Sequence, residues 1–499
     1  MSTVRPSRAH AKRVQVQNGR RRTISRSLGL GVAVISLMLL IVIVTSGLSL
    51  LPKLLLSVAL LVVSGEILSM LVASQRLFYG IYMFRTKLGL NAMERLAKRA
   101  PWFWNGLADW GLVMGFGLLS LVLFRKSVSK RMVAFGTASI VVLLLFVLPN
   151  LGLGLNFVDI PQITSHIQST TAQAPAGLDY LAYAMYALSV LGGFTAYIIF
   201  SLLYNAASII YALLIALVTS FTPHPNYSGL GQSIPGVAPI IPGITIPLFA
   251  GILSLALLLI VHEFSHGILA RISKVRITSS GGLLFGVIPI GAFVEPDEKR
   301  IEKLKVQAQN RISAAGVASN MLLSVIFFLF MLLFIYFVMP YVQKPYVYIV
   351  ATVPNSPANS IISPGSVVLK WNGYNISTLS DFKVAAANDI SGAHVSIVTN
   401  NGSYTLTANS TGKVGVFVNQ GAETTGGILG HILTFIYSFF ALSFLLNFLV
   451  AVVNYLPIPS FDGWRVFNSS IKNKKIVLAI SVIVVVSLLV NILPWIWLG

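Results

Sequence analysis

The chain has 499 residues, 56% of them hydrophobic and only 10% charged, with no cysteine and a formal net charge of +21. Such apolarity excludes an ordinary water-soluble globular protein and reads as a polytopic α-helical membrane protein of about 9–10 apolar spans, while the lack of cysteine leaves only nitrogen and oxygen donors for any metal. The basic residues fall in short clusters beside apolar runs, which marks cytoplasmic loops and contact with membrane lipid rather than nucleic acid.

Residues 1–27 carry eight Lys or Arg, no acid and no periodic apolar pattern, which predicts a disordered basic cytoplasmic tail. Residues 28–219 hold apolar runs at 28–51, 54–74, 103–124, 132–153 and 178–219, N-terminal transmembrane helices whose role the sequence leaves open. The first run is long enough to span and lacks a small-residue cleavage site, so a retained helix is expected. Glu66 in the second is expected to be paired inside the bundle. Basic residues on both sides of 103–124 predict a re-entrant or interfacial segment, and 178–219 has length for two helices. The loop 220–243 has no Lys or Arg and a sequon at Asn226, which places it outside.

Residues 244–340 open with an apolar run that closes on Val261-His262-Glu263-Phe264-Ser265-His266-Gly267. On a helix His262 and His266 project from one face one turn apart, the spacing at which two ring nitrogens grip one metal ion. Glu263 lies about 100° round the axis, within reach of a metal-bound water without being a ligand. Arg271, Lys274 and Arg276 mark the inner end of this helix. The stretch 281–294 is too broken by Gly and Pro for a helix and too apolar for a solvated loop, so a hairpin beside the site is expected. The next span, 312–339, opens with Gly316-Val317-Ala318-Ser319-Asn320, a small-residue face for close helix packing or one that turns Asn320 to the site.

Residues 341–421 change to a polar, β-branched composition, with strands expected at 347–353, 367–371, 395–399 and 404–407. A helix at 379–388 is expected to open from Ser377 or Ser380. Sequons at Asn375, Asn401 and Asn409 and few basic residues place this small domain outside the cell. In 424–499 an apolar run ends in Asn454-Tyr455-Leu456-Pro457-Ile458-Pro459-Ser460-Phe461-Asp462-Gly463, where two prolines unwind the helix to present Asp462 at the depth of His266, and a last helix follows. Two histidines and a distant aspartate supply the three ligands of an open catalytic metal site.

The motifs H-E-F-S-H, G-V-A-S-N and N-Y-L-P-I-P-S-F-D-G resemble those of the site-2 protease family of intramembrane zinc metalloproteases, peptidase family M50, over about half the chain. The resemblance implies one Zn2+ per chain held by His262, His266 and Asp462, with Glu263 as general base. It implies support of site or substrate by Asn454, Asn320, Gly316 and Phe293. The implied substrates are transmembrane helices of membrane-anchored proteins. The 341–421 domain resembles a PDZ domain through Ser356-Pro357-Ala358 and Val367-Leu369-Trp371-Asn372-Gly373, with Gly365-Ser366 in place of the common Gly-Asp. An archaeal plasma membrane suits the basic, cysteine-free chain. A transporter with a broken helix at Pro457 and a non-proteolytic scaffold are the alternatives; no inverted repeat favours the first, and four intact catalytic side chains disfavour the second.

Overall fold

The computed structural model describes residues 8–71, 74–125, 127–147, 149, 180–222, 229–230, 233, 235–237, 239–353 and 355–498. Among them nine helices are long and apolar enough to cross a membrane. The sequon at Asn226, the start of the basic tail and most of the 132–153 run beyond Val147 lie outside the described residues. The chain divides into two compact units, Met1–Leu329 with Phe439–Gly499 and Phe330–Ser438.

In the first unit α1 (Arg8–Thr45) starts inside the tail expected to be disordered. Residues 8–17 are mostly Arg, Lys, Ala and Gln, good helix formers that prolong the apolar helix behind them. After α2 (Leu50–Leu71) come β1 (Ser74–Phe78) and β2 (Ile81–Thr86). Glu66 is paired as expected, accepting from the Gly80 N–H at 2.8 Å and lying 3.2 Å from Arg76. Next come α3 (Leu90–Arg99) and α4 (Pro101–Phe116).

The run expected to be re-entrant forms one apolar stretch, Pro101–Leu123, long enough to cross. It is broken at Gly117, where φ is 53°. Past α5 (Lys130–Val142), α6 (Tyr180–Thr219) breaks at Gly193, so its two parts are unequal rather than matched spans. A Cβ at Gly193 would come within 2.3 Å of the Gly115 carbonyl, and one at Gly117 within 2.4 Å of Val190 O. The two breaks therefore let α4 and α6 touch backbone to backbone, as small residues do between membrane helices.

The helix α7 (Leu248–Ile272) carries the two histidines. It stops because Lys274 takes a left-handed conformation, φ 59°, with Val275 N–H bonded to Ala270 O and Lys274 N–H to Arg271 O. That paired capping satisfies the last carbonyls and turns the chain into β3 (Ile277–Phe285). With β4 (Ile288–Pro296) it makes the expected hairpin, longer at both ends. The sheet has order β1-β2-β3-β4, all antiparallel, so residues 74–86 complete a sheet built beside the histidine helix. Then α8 (Val306–Phe337) begins.

The second unit is built on β5 (Gln343–Thr352), β6 (Val367–Trp371), β7 (Tyr374–Asn375), α9 (Leu379–Ala386), β8 (His394–Thr399), β9 (Gly402–Thr407) and β10 (Val416–Thr424). Strand order is β10-β5-β6-β8-β9, with β7 on β6. β10 was not expected, and its pairing with β5 runs to Thr424↔Gln343, past residue 421. The cap of α9 is Thr378, not Ser377 or Ser380: its side chain accepts from Asp381 N–H and Asp381 returns the bond, a capping box. Val347, Ile349, Val368, Trp371, Val395 and Ile397 form the core.

Back in the first unit, α10 (Gly427–Asn454) ends before the prolines, α11 (Asp462–Ser470) starts on Asp462, and α12 (Lys474–Ile492) is the last long helix.

Candidate metal centre

His262 and His266 stand one turn apart on α7, with Nε2 atoms 3.2 Å from each other. Asp462, first residue of α11, brings Oδ2 to 3.2 Å from His262 Nε2 and 3.3 Å from His266 Nε2. That oxygen is buried and accepts no well-directed hydrogen bond despite two nitrogens so near. Three potential donor atoms crowded around one point are what a cation organises. Ligands about 2.1 Å from a tetrahedral zinc lie about 3.4 Å apart, so nitrogen, nitrogen and oxygen at these separations fit such an ion. Other groups of three His, Cys, Asp or Glu side chains that converge in this way are absent among the described residues.

The rest of the pocket is set by α8. Gly316 faces both imidazoles so closely that a Cβ there would come within 2.5 Å of either Nε2. The Ile312 carbonyl accepts from His266 Nδ1 at 2.6 Å, which directs that ring's other nitrogen to the centre. Asn320, fully buried, lies with Nδ2 3.1 Å from His262 Nδ1. Ser319 donates to Ser265 at 2.6 Å, joining the G-V-A-S-N and H-E-F-S-H motifs through their serines. Asn310, lower on α8, donates to Ser470 at 2.9 Å and so holds the far end of the helix that begins with Asp462.

Glu263 accepts from the Val294 N–H of β4 at 3.2 Å, so the outer edge of the hairpin faces the carboxylate. Phe293 itself packs over Gly281 of β3 and not on the cluster. Asn454 ends α10, half-buried, and its side chain makes no hydrogen bond among the described residues. Glu295 and Asp297, the next acids along the chain after Glu263, are engaged elsewhere: Glu295 with Arg85 and Ser279, Asp297 as cap of the turn Glu298–Glu302. Hydrogen bonds from Ser279 and then Arg85 hold the Glu295 carboxyl below the usual range.

Two further contacts went unread in the sequence, and both run to α4. Asp109 accepts from Arg311 Nε and Nη2 at 2.7 and 2.6 Å, a bidentate pair one residue before Ile312. Tyr455, 2% exposed, donates to Gly111 O at 2.6 Å, which anchors the loop leading to Asp462. An acid within the 103–124 run was the available signal, since an ionised group at membrane depth needs a partner.

Three converging donors, with a carboxylate beside them that is not one of the three, form a group that could hold a metal ion. Residues 250–493 match the family model described as Peptidase family M50. An uncharacterized protein of Methanocaldococcus jannaschii is 29% identical over 232 residues, covering 46% of this chain and 58% of the relative's own length.

Proposed function

We propose that the protein is a zinc-dependent intramembrane endopeptidase that hydrolyses peptide bonds within or near transmembrane helices of membrane-anchored proteins. The observation that carries this reading is the convergence of His262 Nε2, His266 Nε2 and Asp462 Oδ2 to within 3.3 Å of one another, one residue from Glu263. His262, His266 and Asp462 hold one Zn2+ per chain. When bound, zinc polarises a water and the scissile carbonyl.

Glu263 takes the water's proton as the oxygen attacks the carbonyl carbon, then returns it to the departing amide nitrogen, so the C–N bond breaks to an acid and an amine. Gly316 and Asn320 support the ligands, while Phe293 and Asn454 are left for contact with substrate. A transmembrane helix satisfies its own backbone and must unwind before attack. The outward edge of β4 suits the unwound segment, which pairs with it by strand addition.

The 341–421 domain is read as PDZ-like and extracytoplasmic and the N-terminus as cytoplasmic, in a plasma membrane; the distribution of basic residues supports this sidedness. A cysteine placed by Ser377→Cys then reacts with an impermeant thiol reagent in intact cells and one placed by Lys472→Cys does not; the reverse pattern inverts the topology. For the chemistry, Glu263→Gln keeps zinc and fold but cannot accept the proton, and cleavage of a membrane substrate by purified protein should fall about 10²- to 10⁴-fold. Equal cleavage by the two forms sinks the mechanism.

A further inference from the structure

We infer that Tyr455 is a positioning residue: seated on α4, it fixes where Asp462 stands opposite His262 and His266, so that a helix outside the matched stretch 250–493 sets the geometry of the centre. This rests on the metal reading of the cluster. Tyr455 follows the last residue of α10 and is held at both ends. Its hydroxyl donates to the Gly111 carbonyl of α4 at 2.6 Å, and only a donor can serve there, because a carbonyl oxygen accepts. Its ring lies on Gly115, one turn further along α4, where a Cβ would come within 2.4 Å of Cε1. Its own carbonyl lies against Gly463, the neighbour of Asp462, where a Cβ would come within 2.2 Å of that oxygen. Tyr455 therefore fills the space between α4 and the first turn of α11, with no slack at either contact.

The helix α4 also meets the helix that backs the histidines. A Cβ at Gly111 would come within 2.4 Å of Ala318 Cβ on α8, two residues from Gly316, which faces both imidazoles. Asp109, two residues before Gly111, holds Arg311 at 2.6 Å near the start of α8. Small residues permit such close approach between membrane helices. One element is thus a common template: α8, behind the histidines, lies against Gly111, and Tyr455, behind the carboxylate, lies against Gly111 and Gly115. The loop from Tyr455 to Asp462 carries two prolines and Ser460 in a left-handed conformation, φ 81°. No regular helix holds it, so the place of the carboxylate is set by what the loop rests on.

The test loads the purified full-length chain with Zn2+ or Co2+ and needs no substrate. Zn2+ has a full d shell and reports affinity alone, by competition with a chelator, whereas the visible bands of Co2+ follow the geometry of its ligands. Tyr455→Phe keeps the ring and removes the hydroxyl; it should weaken zinc about 10-fold and shift the cobalt bands. Gly115→Ala, which drives a methyl group at the ring from α4, should shift them as well. The comparison is Ser139→Ala, which removes the acceptor of Trp110 Nε1 at 3.2 Å, a hydrogen bond that α4 makes with α5 instead, and should leave affinity and bands unchanged. Bands unmoved by Tyr455→Phe overturn the inference whatever the affinity does. Bands moved alike by Ser139→Ala overturn it too, since general loosening of α4 would then be the cause. Wild-type protein that takes up neither metal defeats the proposed function and this inference together; metal-binding wild type with an indifferent Tyr455→Phe variant defeats this inference alone.

Discussion

The two units bury different things. Inside the first lie Asp109, Ser254, His262, Asn310, Asn320, Asn447 and Asp462, each under a tenth exposed, whereas the core of Phe330–Ser438 is Val347, Ile349, Val368, Trp371, Val395 and Ile397. The difference follows from the solvent each element meets. In water, removal of apolar surface drives collapse and polar groups stay outside. Between apolar spans that force is weak, because lipid is as apolar as leucine, so helices are placed by polar pairs and close approach at small residues. The polar interior of the first unit is both its assembly code and the material of its site.

Breaking that polar interior should have the largest effects. Asp462→Ala removes one of three donors, and stoichiometric zinc measured by metal analysis should be lost with all proteolysis. Asp109→Asn leaves Arg311 with its charge inside and no counter-ion, which should destabilise the first unit by about 3 kcal/mol in reversible unfolding, while Asp109→Leu with Arg311→Leu costs less. A double variant as unstable as the single one would mean that the pair's charge is not what matters.

The contrast sharpens in the second unit, where volume rather than polarity should count. Ile397→Ala, at a fully buried site, should cost about 3 kcal/mol and leave zinc occupancy as it was. Gly316→Ala adds one methyl group to the polar interior, and its 2.5 Å approach to both Nε2 atoms should weaken zinc about 10-fold, within the range of mutations around metal ligands. The smallest effect is expected at the α9 cap, where Thr378→Ala should cost about 1 kcal/mol. Backbone hydrogen bonds, from Thr378 first, hold the Asp381 carboxyl below its usual range. Its contribution is therefore present above the ordinary carboxylate range and disappears as pH falls through the lowered value, so the Thr378→Ala deficit should shrink in acid melts.

The same contrast decides what could be read in the chain beforehand. His262, Glu263 and His266 were legible because residue type and helical period carry their meaning locally, and Asp462 because two prolines advertise the break before it. Hairpin β3–β4 was legible as a Gly- and Pro-broken apolar stretch. Asp109 was not, because a run averaged for apolarity hides one acid whose partner, Arg311, comes 202 residues later. Thr378 lost to its serine neighbours because a cap is chosen by backbone angle as well as side-chain type. Gly193 broke α6 off-centre because its contact with α4, not its place in the run, sets the break.

One contact bears on how the protein comes to exist. Arg85 on β2 and Glu295 on β4 are 210 residues apart in sequence, and between these strands β3 pairs with β2 from Ile81↔Phe285 to Thr86↔Ser280. During synthesis β2 emerges long before its neighbour, with one row of backbone groups unmatched while the intervening helices are made and inserted. Whatever shelters that ribbon in the interval, a chaperone, the insertion machinery or the lipid headgroups, acts before the His262–His266–Asp462 cluster can exist. A ribosome stalled ahead of residue 277 should therefore hold a nascent chain whose 74–86 segment is open to protease, and release past residue 296 should close it. The order of translation thus keeps His262, His266 and Asp462 from converging until the N-terminal half is in place to frame them.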